Sequence, residues 1–452
     1  MALGAYDMGE PKYTSAGIYR SVMLMSLCFS LNHGCVTSVI GLASIELGDQ
    51  LGGDSLGLLY VMYTCIALVG ATGIVEVLGQ KWALVAGTSA YCVYVATFVF
   101  ALAWQEAKWP ICMSGSFLGG CAAGWLWTAQ GGYFNAAVEL YAKACLDENS
   151  NGQALLGSEE EELAAEKKKA SSTLAGLFST CYLSSELGLK VMTFFLLNKG
   201  LVSWGKIFCY IVLTIIAVVS AFLMTLITDL EDHNADQSRE SIRKRAAEKT
   251  LAAINLCRDD PKMLLMYPTQ MTFGFCSSFL NFYVSKNIVK EYIGKSAVPL
   301  LGGLISLIAA SFSIPTGWIS NRVGKPPVMI AGIFCFLVVM LIFTLLPDHI
   351  VGTYGCIIPA YVLYGLGRCM FEGQNKAILA DFFPSAGAAW GANVIVSSGG
   401  SAAIGFFLFP HISNKITMGS ICIVTSGIAL CAFLIAAKIY RSQQAATKID
   451  IY

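Results

Sequence analysis

Glu186 and Lys190 stand four residues apart in an apolar stretch, and Arg368, Glu372 and Lys376 repeat that step twice in another. Steps of four place side chains on one slowly drifting helix face, and an acid preceding its base is the favoured order for a helical ion pair. A charge inside a membrane helix costs roughly 2.5–3.5 kcal/mol on insertion scales, so each needs a partner or a task. A guanidinium such as that of Arg368 presents a planar fork to an anionic or polar solute group. Glu186 or Glu372 is then the carboxylate expected to carry a coupled proton. The competing structural reading is that these pairs clamp parts of the chain together and touch no ligand.

Other polar residues fall near the middle of apolar segments. Asn32 and His33 lie in the first, Gln130 and Tyr133 in the fourth, Gln270 and Asn281 in the seventh, and Gln374 and Asn375 beside Glu372 in the tenth. All are expected to line a substrate cavity. His33 next to Asn32 has the chemistry of a proton relay, although a hydrogen-bonded packing histidine is the plainer reading. Trp125 and Trp127 can stack on a substrate or simply pack. The pairs Gly115/Gly119 and Gly120/Gly124 are small-residue helix contacts, since no strand precedes them to make a dinucleotide loop. No nucleophile–base set or phosphate-binding loop appears, so an enzyme is not expected. Sixteen cysteines sit mostly within apolar runs and the four histidines are scattered. Neither a metal site nor a cofactor is expected.

Composition says what must position these residues. Of 452 residues, 56% are hydrophobic and 13% charged, against about a quarter charged in soluble domains. Mean hydropathy is +0.64, and 29 basic residues balance 29 acidic ones, so no global field would draw nucleic acid. The expected partner is the lipid bilayer. Segments near 17–42, 55–77, 82–104, 110–142, 171–198, 204–228, 263–286, 297–319, 327–346, 351–380, 388–409 and 417–439 are long enough to span it. The fold class is therefore an all-α membrane protein of twelve spans. The polar opening, Met1–Ser15, predicts that the first span is its own insertion signal.

With the N-terminus inside, twenty Lys and Arg fall on the inner side, seven on the outer side and two within spans. That bias predicts cytoplasmic N- and C-termini. Trp104, Trp109 and Trp204 then belong to the outer interface, and Trp82, Trp318 and Trp390 to the inner one. Two long connections are inner. One, near 143–170, carries Glu159–Glu162 and Lys167–Lys169. The other predicts a surface helix over 238–256 with Ile242, Ala246, Leu251 and Ile254 on its apolar face, and Arg243, Lys244 and Arg245 toward anionic lipid. The domains expected are 1–228 and 263–452, joined by 229–262.

The halves repeat. Gly73-Ile-Val-Glu-Val-Leu-Gly79-Gln-Lys81 matches Gly317-Trp-Ile-Ser-Asn321-Arg322-Val-Gly324-Lys325 at an offset of 245, which recurs from Gly87 to Gly332. Repeated six-span halves are a transporter architecture with binding near midplane. The 317–325 segment resembles the signature turn of the major facilitator superfamily, with Asn321 where Asp is usual. More specifically, Leu56-Gly-Leu-Leu-Tyr60, Leu78-Gly-Gln-Lys81 and Gly120-Cys-Ala-Ala-Gly124-Trp-Leu-Trp127-Thr-Ala-Gln130-Gly-Gly-Tyr133 resemble the uncoordinated-93-like family. Gly365-Leu-Gly367, Phe371 and Gln374 form the second-half counterpart. Arg368 stands where that pattern leads one to expect an acid, and no N-x-[ST] sequon occurs.

The resemblance implies the superfamily fold, and it implies two functions. One is secondary transport of a small solute or ion, with proton coupling, by alternating access. The other is a non-transporting regulator or trafficking chaperone of another membrane protein. A channel is a third reading, without a visible selectivity filter.

Overall fold

A computed structural model describes residues 13–149, 159–198, 205–230, 239–384 and 386–449. Bilayer interiors offer the backbone no water, so spanning segments must satisfy their own peptide groups, and the described residues do so as helices. The first six are α1 (Ser15–Leu47), α2 (Asp49–Leu78), α3 (Gln80–Ala103), α4 (Lys108–Asn149), α5 (Glu159–Leu197) and α6 (Gly205–Met224). Next comes α7 (Arg239–Asp259). After it follow α8 (Pro261–Phe279, continued by the π-helical Leu280–Lys290), α9 (Ala297–Val323), α10 (Lys325–Leu345), α11 (Tyr354–Phe382), α12 (Gly387–Leu408) and α13 (Lys415–Ile449).

Eight of these are long and apolar enough to cross a membrane: α1, α2, α3, α6, α9, α10, α12 and α13. Of the other five, α4, α5, α8 and α11 hold the Gln130, Glu186, Asn281 and Arg368 regions. Their lower apolarity has a physical reason, because part of each faces protein or a cavity instead of lipid. Outward faces elsewhere carry large apolar side chains, with Ile314 83% and Phe222 66% exposed, as a lipid-facing surface requires.

Packing repeats with the sequence. In the first six spans α1 packs on α5 and α6, α2 on α4, and α3 on α4 and α6. In the last six α8 packs on α12 and α13, α9 on α11, and α10 on α11 and α13. The two sets meet along α2–α12 and α5–α9, again an equivalent pair. Glycines set the closest approaches. A Cβ on Gly124 would come within 2.7 Å of the Ile66 side chain, and one on Gly365 within 2.8 Å of Ile308.

The repeated turns have one backbone shape. Gly79 (φ 77°) joins α2 to α3, and Gly324 (φ 90°) joins α9 to α10, each in a region that L side chains rarely adopt. Lys325 donates to Asp381 (2.6 Å) and to the Ala377 carbonyl (3.3 Å), tying that turn to α11. Arg322 lies 3.5 Å over the Trp318 ring, and Lys81 5.7 Å from that of Trp82. Asn321 is exposed. Gly73 lies within α2 and Gly317 within α9.

Both ends of the described residues lie on one face. Ser15 bonds Glu148, Tyr13 donates to the Asp229 carbonyl, and Lys262 donates to Gln443. Glu139, half exposed, pairs with Lys143 and Lys167 there. Helix α7 rests on this face against α12 and the end of α2. Its contact with the bundle is on another side than the expected apolar face. Ala253 is buried, and Leu256 and Cys257 pack inward, while Leu251 and Ile254 point out. The cause is Asn393, whose amide donates to the Ala253 carbonyl and whose oxygen accepts from Cys257 and Tyr267. Met1–Lys12, Lys199 and Trp204, and the side chains of Ile242, Arg243, Arg245 and Ala246, lie outside the described residues.

Candidate functional site

Glu186 is 4% exposed on α5, and its carboxylate is shared between the halves. Lys190, one turn along, donates to Oε1 at 2.5 Å. Arg368 reaches across from α11 and donates from Nη1 and Nη2 to the two oxygens at 3.4 and 3.5 Å. Arg368 Nε also donates to Glu372 Oε1 at 2.9 Å, and Lys190 to the Gly302 carbonyl of α9. Two cations and two carboxylates thus form one neutral chain of bonds through the interface. Glu372, whose side chain is 45% exposed, has its second oxygen outside that chain. Lys376, the next step on the same face, is exposed and lies apart from it.

This network lines a cavity of about 270 Å³ with His33, Tyr60, Tyr182, Asn281, Tyr361 and Tyr364. The π-helical turn of α8 presents Asn281 and Ser285 here. Wide turns of this kind misalign backbone partners. Asn281 answers by donating to the Ser277 carbonyl, and Ser285 by donating to that of Leu280. A second cavity of about 250 Å³ adjoins the first and shares His33, Ile40, Tyr60, Phe273 and Ser277 with it. Its remaining wall includes Tyr63, Tyr91, Ala123, Trp127 and Gly399.

The structure brings His33, Glu186, Lys190, Asn281, Arg368 and Glu372 together and leaves the other expected lining residues elsewhere. Asn32 is fully buried on the far side of α1, donating to the Thr88 and Ala217 carbonyls and to Ser220. Tyr133 is also fully buried; its hydroxyl meets Ser21 (2.7 Å) and donates to the Thr228 carbonyl. Gln270 and Asn375 exchange amide bonds of 2.7 and 3.0 Å between α8 and α11. Gln374 accepts from Ser320 on α9 (2.7 Å). Gln130 is half-buried on α4 and lines neither cavity. Five of these six fasten neighbouring segments, because their polar atoms bond across to them, and Gln130 lies apart from both cavities.

Tyr182 was legible but missed. It stands one turn before Glu186, so the i, i+4 stripe runs 182, 186, 190. The face opposite the chain ends was also missed. There Glu46 pairs with Lys206 (3.3 Å) and Lys295, Asp49 with Lys286, and Asp348 with Lys415 (2.6 Å). Glu46–Lys295 and Asp49–Lys286 join the first six spans to the last six.

A twofold-repeated bundle of spanning helices, with a charged cavity between its halves, is a multi-pass membrane protein of a solute-carrier type of fold. The sequence model of the Major Facilitator Superfamily matches residues 182–405 and 266–448, and the chain belongs to that family. It is similar to UNC93-like protein 3 of Arabidopsis thaliana, 25% identical over 420 residues that cover 90% of this chain and 84% of that one. Its fold is that of the inward open xylose transporter XylE from E. coli (TM-score 0.62, 13% identity, 94% of this chain and 96% of that). The same holds for the POT family transporter PepTSo (TM-score 0.63, 10% identity, 97% and 99%) and the nucleoside transporter NupG (0.59, 12%, 94% and 99%).

Proposed function

We propose that the protein is a secondary transporter of a small solute that works by alternating access, with residues 1–228 and 263–452 as the two moving bodies and 229–262 as their connection. The observation that carries this reading is the Glu186–Arg368 contact. It bridges the halves inside a cavity, its two bonds are long (3.4 and 3.5 Å), and each partner has a second ion pair within its own helix. Separating the halves therefore leaves Glu186 with Lys190 and Arg368 with Glu372, and neither charge stands alone in a medium of low dielectric. A solute that binds Arg368 replaces the cross-half bond, and that exchange couples binding to movement. Glu372 and Glu186 are the carboxylates proposed for a coupled proton. Fold neighbours include proteins named as nucleoside, xylose and peptide transporters, which supports a small solute as cargo. The basic residues of the connections support cytoplasmic termini.

Uptake into proteoliposomes, with and without a proton gradient, tests the reading. Arg368→Ala and Glu372→Gln are expected to abolish uptake of whichever solute the wild type carries. Unchanged uptake in both would remove the site. The second reading, a regulatory subunit of another membrane protein, draws on the mutual neutrality of the four charges, which would also suit a static clamp. Copurification of a stoichiometric membrane partner, with no flux for any solute, would favour it.

A further inference from the structure

We infer that the two adjoining cavities form one amphipathic subsite for a small zwitterion with an aromatic body, resting on the transporter reading and naming its substrate class. The repeat makes the division visible. At the offset of 245 that relates Gly79 to Gly324, Arg368 corresponds to Ala123 and Glu372 to Trp127. Arg368 and Glu372 line the first cavity; Ala123 and Trp127 line the second. Equivalent wall positions are thus charged in one half and apolar and aromatic in the other, so the centre of the bundle is polarised from side to side.

The head of the ligand follows from charge. Lys190, Glu186, Arg368 and Glu372 sum to zero, and a ligand of net charge would leave one charge uncompensated away from water. A net-neutral ligand with both signs avoids this. Its carboxylate takes the guanidinium fork that Glu186 holds only at 3.4 and 3.5 Å, and its ammonium takes the Glu372 oxygen outside the bond chain. The body follows from the rings. His33 contacts Trp127 (5.2 Å), Tyr182 (5.6 Å) and Tyr91 (6.0 Å) between ring centres, and Tyr60 and Tyr63 complete an aromatic wall. Aromatic walls favour offset or edge-on aromatic partners. An independent sign of a ligand stands where the cavities join. His33 lines both cavities, and its buried Nδ1 atom has no protein hydrogen-bond partner.

The test is equilibrium binding by calorimetry on the full chain in lipid nanodiscs, with phenylalanine as the probe. Phenethylamine lacks its carboxylate, 3-phenylpropionate its ammonium and alanine its ring. Phenylalanine is expected to bind, and each of the three analogues to bind roughly tenfold more weakly or worse. Trp127→Ala is expected to weaken phenylalanine while leaving alanine unchanged, and Trp127→Phe to restore it. The analogue series needs no variant, so misfolding cannot mimic the result. Equal binding of phenylalanine and a single-charge analogue would overturn the inference. So would binding of glucose or uridine, lost in Arg368→Ala, without binding of phenylalanine. That outcome rejects the substrate class but keeps the transporter reading, whose own failure would show as absent flux for every solute.

Discussion

At the scale of single residues, position along a span is legible in a sequence and direction around it is not. Successive helix residues point about 100° apart, so Asn32 and His33, equally deep, cannot both face one cavity. His33 faces it and Asn32 fastens α1 to α3 and α6. The i, i+4 pairs were legible because spacing alone defines them. Their cross-half bond was not, because it depends on how α5 meets α11. That bond carries a prediction. Arg368→Gln removes two ion pairs from a cation whose side chain is only 15% exposed, and breaking a buried pair costs about 3–5 kcal/mol. The lower end applies here, since Lys190 still holds Glu186. The double variant Glu186→Gln/Arg368→Gln is expected to lose less stability than the two single losses added together. Denaturant titration in detergent measures it, and strict additivity would mean that the two groups do not interact.

At the scale of elements, the repeated turns were readable because glycine at a helix junction has a backbone reason. Gly79→Ala and Gly324→Ala are each expected to cost about 1–3 kcal/mol, since their φ/ψ pairs (77°/157° and 90°/160°) lie in a region open essentially to glycine alone. Gly317→Ala is the contrast: it lies inside α9 with ordinary φ and open space, and alanine there is expected to be neutral or stabilising. Thermal unfolding of the three variants decides it, and three equal effects would refute the backbone argument. The start of α1 makes a different prediction. Glu148, exposed at the end of α4, accepts from the Ser15 hydroxyl (2.6 Å) and amide (3.0 Å). These bonds hold its carboxyl below the usual carboxylate range. A group lowered by folding stabilises above its unfolded pKa, and that contribution is lost as pH falls through the folded value. Protection of the Ser15 amide, its exchange relative to the unprotected rate at the same pH, is therefore expected to fall as the solution is acidified past the ordinary carboxylate range, and to be lower in Glu148→Gln above that range. A Ser15 amide indifferent to both would show that the bond does not hold α1.

The whole molecule brings these elements together as two packed halves joined along α2–α12 and α5–α9, and by ion pairs on the face opposite the chain ends. Nothing in the spacing of Glu46, Asp49, Lys286 and Lys295 identifies those pairs, because each partner comes from the other half. If the halves rock about the central cavity, such pairs favour the state in which this face is shut. Asp49–Lys286 is partly exposed, with side chains 50% and 23% accessible, so it contributes about 0.2–1 kcal/mol. Removing it shifts a two-state balance by no more than roughly fivefold. Lys286→Gln is accordingly expected to leave the fold intact and to raise hydrogen exchange in 37–42 and 298–305, the cavity-lining stretches of α1 and α9 toward this face. Lys286→Arg keeps the charge and is expected to exchange as wild type does. Exchange mass spectrometry in nanodiscs reads both. A rise confined to the neighbourhood of residue 286, with 298–305 unchanged, would show local fraying without opening, and the face would then have to be held shut by helix packing alone.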